Sequence, residues 1–177
     1  MSIRKIIEYP DSVLRRRTAR IEHFDDKLLR LVEDLKDTLY SSTGIGLSAP
    51  QIGESERMLV MDLSDNHSAI EVYVNPAILN KSGMAFVEES CLSLPGISAS
   101  VVRAAQITVC AQDVRGDTFE RVLEGMPAVC LQHELDHLDG TLFIDRISTL
   151  RSLRFRKTLK ALEQRAALCQ QEEEAIA

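Results

Sequence analysis

The middle of the chain alternates short stretches rich in valine and isoleucine with turn-forming residues, and this pattern limits the possible folds most. Within residues 57–124 the stretches are RMLVMDL, IEVYVNP, SASVVRA and QITVCAQDV. Short apolar runs bounded by turn residues are typical of β-strands, and Arg115-Gly116-Asp117 is typical of a hairpin turn. We therefore predict antiparallel strands in this region.

Helical patterns lie on both sides of the strands. Five apolar side chains follow Asp25, a suitable N-cap, at helical spacing: Leu28, Leu31, Val32, Leu35 and Leu39. Pro127 suits the first turn of a central helix that includes HELDH and ends near Asp139-Gly140. A last helix is expected from about Ser148, with these residues toward the core: Leu150, Leu153, Leu159, Leu162 and Ala166. This order predicts an α+β fold, with antiparallel strands packed around the central helix and a C-terminal helix.

Length and composition limit the class of protein. The chain has 177 residues, 45% of them hydrophobic and 27% charged, without a repeat or a linker, so we expect one domain over residues 1–177. The N-terminal residues lack the apolar run of a signal peptide, and no segment approaches the roughly 20 apolar residues of a membrane span. We therefore expect a cytoplasmic protein without membrane contact. A net charge of -6 argues against nonspecific nucleic-acid binding by the whole chain.

The segment His133-Glu134-Leu135-Asp136-His137 carries the strongest chemical signal. Two histidines four residues apart lie on the same face of a helix, so both can bind one metal ion. Glu134 projects beside the first histidine, where a carboxylate can take a proton from water without binding the metal. The alternative is a solvated helix surface, but the pattern favours metal-assisted hydrolysis.

Two histidines leave a tetrahedral metal site incomplete, so a third protein ligand is required. Four cysteines are present, and in a cytoplasmic chain they are poor candidates for disulfides. Cys91 is the best candidate ligand, because it lies where a strand pattern gives way to a loop with proline and glycine. Cys110 and Cys130 are expected to pack in the core, and Cys169 lies in the tail.

Three segments together resemble the peptide deformylase family, the enzymes that remove the N-formyl group from newly made polypeptides. They are GIGLSAPQIG at residues 44–53, ESCLS at residues 89–93 and QHELDHL at residues 132–138. The resemblance extends from a turn at Asp11 to the last helix. It implies a hydrolase that acts on N-terminal formylmethionine and releases formate.

The resemblance implies that Cys91, His133 and His137 bind the metal, in agreement with the spacing, and that Glu134 is the catalytic acid and base. It also implies one divalent ion, with Fe2+ as the native metal and Zn2+, Ni2+ or Co2+ as replacements. By ligand type alone, a thiolate and two imidazoles would equally suit zinc. The metal would activate water for attack on the formyl carbon, and Glu134 would pass a proton to the leaving amine.

Contacts to the substrate are also implied by the resemblance. The Gln51 amide and the Leu92 N–H would donate to the oxyanion that forms on the formyl oxygen, each worth about 3 to 4 kcal/mol in comparable sites. The backbone of Gly44, Ile45 and Gly46 would bind the peptide as an added strand. The methionine side chain would enter an apolar pocket, for which core packing is the alternative interpretation; its residues are Ile45, Val87, Met126, Val129 and Cys130.

Three positions near the cysteine and glycine segments need separate comment. Glu89 is implied to pair with Arg103 and so to hold the cysteine loop. Ser48 stands where alanine is usual in the family, and Ser90 stands where glycine usually precedes the cysteine. If position 90 required a positive φ, serine would strain the loop by about 1 to 2 kcal/mol.

Two other functions fit part of the sequence. One is a deformylase-like protein with weak or altered activity that docks on ribosomes through the basic residues 151–165, for which a solvated helix face is the alternative. The other is a zinc protease that uses HELDH, but such enzymes generally lack the cysteine and glycine segments. The deformylase interpretation implies N-formylmethionyl nascent peptides as partners, and we expect a monomer.

Overall fold

A computed structural model describes residues 3–176, with side-chain surroundings for all of these except 170 and 172–176. The helices are α1 (Asp26–Tyr40), α2 (Met126–Leu138), α3 (Thr149–Ser152) and α4 (Arg156–Ile176). The strands are β1 (Gly46–Ser48), β2 (Met58–Met61), β3 (Glu71–Ser82), β4 (Ala85–Ser90), β5 (Ser98–Arg103), β6 (Gln106–Gln112) and β7 (Thr118–Glu124). The predicted α+β fold with antiparallel strands and a C-terminal helix is confirmed.

The strands form two antiparallel sheets. The larger has five strands in the order β1-β2-β3-β6-β7, and the smaller consists of β4 and β5. Gly116, with φ +91°, lies in the turn between β6 and β7, as the hairpin prediction requires. Strand β1 is at the edge of the larger sheet and, within residues 3–176, pairs only with β2. The other side of β1 is therefore open to an added strand.

Strand β2 connects two of the three hydrophobic cores, because its side chains alternate between the faces of the sheet. Met58 and Val60 pack in the core that contains α1, whereas Leu59 and Met61 pack in the core that contains α2. Helix α2 thus lies on the opposite face of the larger sheet from α1. The third core joins β5, the segment around Cys91 and α4.

The helix ends follow the local sequence closely. The Asp25 side chain accepts hydrogen bonds from the N–H groups of Lys27 and Leu28 at 2.9 and 3.3 Å, which confirms it as the N-cap of α1. Helix α2 ends just before Gly140, which has φ +71°. A Cβ at Gly140 would lie 2.6 Å from the carbonyl oxygen of Arg15, so both conformation and space require glycine.

The last helix begins where predicted, since Ser148 caps α3 and its side chain accepts from the Arg151 N–H, but the prediction that Leu150 and Leu153 face the core is wrong. Leu162 is buried, but Leu150 and Leu153 are 80% and 55% exposed. The chain forms the short α3 and a 3-10 turn before α4 begins at Arg156. The helical phase of α4 therefore does not extend back to Leu150, and Phe155 enters the core instead.

A buried carboxylate fixes the loop after β2, which lies next to the edge strand. The Asp62 N–H donates to the Ile45 carbonyl oxygen at 2.9 Å, and the Tyr40 hydroxyl donates to the Asp62 carboxylate at 2.7 Å. Burial alone would raise the pKa of Asp62, but hydrogen bonds from Ser64, Tyr40 and the backbone lower it to about 2. This carboxylate is thus ionised in the folded protein at neutral pH.

We expect Asp62→Asn to lower the free energy of unfolding by about 1 to 3 kcal/mol at pH 7, because charged hydrogen bonds are lost. The pKa of Asp62 is lower in the folded protein than its value of 3.8 in the unfolded chain, so the ionised carboxylate stabilises the fold above pH 3.8. This stabilisation is lost as the pH falls toward about 2. The difference from wild type, measured by urea unfolding, should therefore shrink between those two pH values. Asp65→Asn, at an exposed position in the same loop, is the control and should change little. A difference independent of pH would contradict this account.

No helix within residues 3–176 has the length and apolar character needed to cross a membrane.

Candidate metal centre

The two histidines of α2 meet the sulfur of Cys91, which directly follows β4. The Cys91 Sγ lies 3.2 Å from the His137 Nε2, and one ligand atom from each of Cys91, His133 and His137 lies within 4.8 Å of the others. Neighbouring ligands of a tetrahedral zinc ion are about 3.5 Å apart, given the usual bond lengths. The three side chains therefore fit a shared ion.

Glu89 holds His133 in a fixed orientation, although the two are 44 positions apart. The Glu89 Oε2 lies 2.8 Å from the His133 Nδ1, and Arg103 binds both Glu89 oxygens at 2.6 and 2.9 Å. Burial raises the pKa of Glu89, but the hydrogen bonds from Arg103 and His133 lower it to about 2. An ionised Glu89 makes the His133 Nδ1 the donor, which leaves the Nε2 lone pair for a metal. The structure also contains the predicted pair of Glu89 and Arg103.

Glu134 is a buried carboxylate with one oxygen free of protein partners. It is 4% exposed, and its Oε2 has no hydrogen-bond partner within the described residues. Burial raises the pKa of Glu134 to about 7, against the opposing effects of His133 and Ser48. A carboxyl group with this pKa can both accept and return a proton near neutral pH.

Gly46 gives Glu134 its space. A Cβ at Gly46 would lie 2.7 Å from the Cys130 Sγ and 2.8 Å from the Glu134 Oε1, closer than carbon atoms are found to such neighbours. The edge strand β1 can therefore approach α2 this closely only with glycine at position 46.

Gln51 presents its amide nitrogen to the cysteine. It lies in the 3-10 turn Ala49–Ile52, where its side chain folds back onto the residue before the turn. The Gln51 Nε2 lies 3.7 Å from the Cys91 Sγ and 3.3 Å from the Ser93 Oγ. An N–H donor therefore lies next to the metal ligands.

A cavity of about 440 Å³ opens over these groups, within the usual size range of ligand pockets. It brings together every residue predicted to bind substrate, namely Gly44, Ile45, Gly46, Val87, Glu89, Met126, Val129 and Cys130. Leu92, Cys91, His133 and Glu134 also line it, whereas Gln51 and His137 do not. Sequence reasoning did not single out the lining residues Thr43, Glu88 and Pro95, because they carry no motif of their own.

Ser90 does not strain the chain. It belongs to β4, where it pairs with Ser98 of β5. Among the described residues other than glycine, positive φ occurs only at His67 and Asn75. Position 90 thus has ordinary extended backbone, and the conditional expectation of strain is not met.

Comparison with known proteins agrees with this geometry. A sequence model of the family described as polypeptide deformylase matches residues 3–152. The chain is 41% identical over 160 residues to the peptide deformylase of Neisseria gonorrhoeae, covering 90% of this chain and 96% of that protein. It is 44% identical over 163 residues to that of Alkalilimnicola ehrlichii, covering 92% of each.

Solved structures show the same relationship. The crystal structure of a peptide deformylase from Legionella pneumophila has a TM-score of 0.86 and 43% identity, covering 94% of this chain and 98% of that chain. A plant peptide deformylase has a TM-score of 0.88 and 39% identity, covering 94% and 92%. These findings show that the chain belongs to the polypeptide deformylase family, the hydrolases that remove the N-formyl group from nascent peptides.

Proposed function

We propose that the cavity is where the formyl amide of N-formylmethionyl peptides is hydrolysed, with Glu134 as the acid and base. One observation carries this proposal: Cys91, His133 and His137 converge beside a buried glutamate, one oxygen of which has no hydrogen-bond partner in the described part of the chain. A divalent metal held by these three residues would act as a Lewis acid toward water and the formyl group.

Three groups of the protein have separate roles in the reaction, one in proton transfer and two in stabilising negative charge. Glu134 accepts a proton from the attacking water and returns it to the nitrogen of the leaving amine. The Gln51 Nε2–H and the Leu92 N–H donate to the formyl oxygen, where negative charge develops. The products are formate and a free amino terminus.

The open edge of β1 supports the way in which we propose the peptide binds. Gly44, Ile45 and Gly46 line the cavity and would pair with the peptide backbone as an added strand, which tolerates many sequences. The formylmethionine side chain would occupy the apolar part of the cavity, next to Val87 and Val129. Glu89 also lines the cavity, and it acts on the site through its hydrogen bond with His133.

We propose Fe2+ as the native metal, replaceable by Zn2+, Ni2+ or Co2+. The test is anaerobic purification, followed by elemental analysis and a formate-release assay with a formyl-methionyl peptide on the same sample. We expect one metal ion per chain, and an activity that falls on exposure to air if the ion is ferrous. A fully active protein without bound metal would overturn the proposal.

We expect Gly46→Ala to lower kcat/KM by about a hundredfold, because the added methyl group would displace the Glu134 carboxylate. Steady-state formate release measures this effect, and metal content should stay unchanged. Adding Cys130→Ala removes the contact with the sulfur but not the contact with Glu134, so kcat/KM of the double variant should stay low. Wild-type kcat/KM in Gly46→Ala would show that Glu134 tolerates the displacement.

We further propose that the protein is a monomeric single domain that acts in the cytoplasm, where nascent chains are made. We also propose that it contacts ribosomes through exposed basic residues of α3, of α4 and of the 3-10 turn Leu153–Phe155 between them. These residues are Arg151, Arg154, Arg156, Lys157 and Lys160. Replacing the last three with glutamate should abolish co-sedimentation with ribosomes at low salt and leave formate release intact. Unchanged co-sedimentation would indicate that these basic residues contact solvent and do not bind ribosomes. The family assignment does not favour the alternative of a weakly active ribosome-associated protein.

A further inference from the structure

The Ser48 hydroxyl contacts Gln51 directly, in addition to its effect on the pKa of Glu134 described above. Ser48 is completely buried, with 0% exposure, at the end of β1 and just before the turn that carries Gln51. Its Oγ–H donates to the Gln51 Oε1 at 2.8 Å, and its backbone N–H donates to the same oxygen at 2.9 Å. Two donors of one residue therefore converge on a single amide oxygen.

The two contacts have different effects on the amide: the backbone N–H sets which end faces the cysteine, and the hydroxyl restricts the movement of the side chain. With Oε1 held by Ser48, Nε2 lies beside the Cys91 Sγ and the Ser93 Oγ. If the amide turned over, its NH2 group would face the Ser48 backbone N–H, which can only donate, and its oxygen would face a sulfur that serves as a metal ligand. The backbone N–H therefore opposes this reversal, and the Ser48 hydroxyl adds a second hydrogen bond that keeps the correctly turned amide in place.

We propose that Ser48 is a positioning residue for deformylation, whose hydroxyl holds the Gln51 amide with its nitrogen toward the formyl oxygen. The proposal rests on the proposed role of Gln51 as an oxyanion donor. A hydrogen bond between neutral groups changes an equilibrium by about two- to tenfold. Because the oxyanion exists only in the transition state, loss of the hydroxyl should act on kcat and not on KM.

The test compares Ser48→Ala, Gln51→Ala and the double variant in the full, metal-loaded chain. Formate release from a formyl-methionyl peptide gives kcat and KM, and elemental analysis gives metal content. On the high-pH plateau of the pH profile, where Glu134 is ionised in every variant, we expect Ser48→Ala to lower kcat about three- to tenfold, with KM and metal content unchanged. In the Gln51→Ala background the same change should have no further effect, since the group that it positions is gone. Ser48→Cys, which keeps a polar atom at the same place in a slightly larger side chain but is a weak donor, should also lower kcat.

Ser64→Ala is the matched control. It removes another serine hydroxyl, which donates to Asp62 at 2.5 Å outside the cavity. It should lower the melting temperature without changing kcat. An unchanged kcat in Ser48→Ala, or an equal loss with and without Gln51, would overturn the positioning role alone. Full activity of Gln51→Ala would instead overturn the proposed function of Gln51, and this inference with it.

Discussion

Glu134→Gln is expected to reduce formate release from a formyl-methionyl peptide by about three orders of magnitude, within the range found for loss of a general acid and base. The amide has nearly the shape of the carboxyl group but cannot accept a proton from water. Because Glu134 is fully buried and its pKa is raised to about 7, removing its charge should not unfold the protein. Its role is thus separable from folding.

The measurement must show that only the chemistry has changed. Metal content and melting temperature of Glu134→Gln should match those of wild type, since the ligands are Cys91, His133 and His137. Glu120→Gln, an exposed glutamate on β7, is the matched control and should keep full activity. If Glu134→Gln keeps more than about a tenth of wild-type kcat, another group moves the proton.

Cys91→Ala is expected to lower metal content, activity and stability together. The variant leaves two imidazoles, which bind a divalent ion far more weakly than a site with an added thiolate. Since metal bound to the folded state stabilises it in proportion to the logarithm of its affinity, the melting temperature should fall toward that of chelator-treated wild type. Elemental analysis and thermal unfolding test both effects.

The other cysteines provide the comparison for that experiment. Cys169 is exposed on α4, far along the chain from the cavity, so Cys169→Ala should keep metal and activity. Cys91→Ala with a full complement of tightly bound metal would show that the sulfur is not a ligand. The same result would leave the histidines as the sole protein ligands within the described residues.

The site could be predicted where chemistry follows from local spacing. Two histidines four residues apart fix a helical face, and the loop setting of Cys91 marked it as the third ligand. Contacts between distant segments were harder to predict: the hydrogen bond between Glu89 and His133 depends on how β4 packs against α2. Family resemblance suggested a role for Glu89 but not this contact.

In the fold, too, features set by local sequence could be predicted, and features set by the path of the chain could not. The N-cap at Asp25 and the turn at Gly116 follow from single residues, so they were predictable. The exposure of Leu150 and Leu153 was not, because helical periodicity cannot show where a chain interrupts one helix and begins another. Ser48 was noted only as a departure from the family pattern, and its bond to Gln51 needed three-dimensional coordinates.

The metal ligands come from two different cores, and this has a mechanical consequence. Cys91 belongs to the core formed with β5 and α4, whereas His133 and His137 extend from the helix that packs against the larger sheet. An ion held by all three works as a cross-link between these packing units. Removal of the metal by a chelator should therefore weaken the packing between these two cores. Limited proteolysis would detect this as faster cleavage near the β4–β5 hairpin.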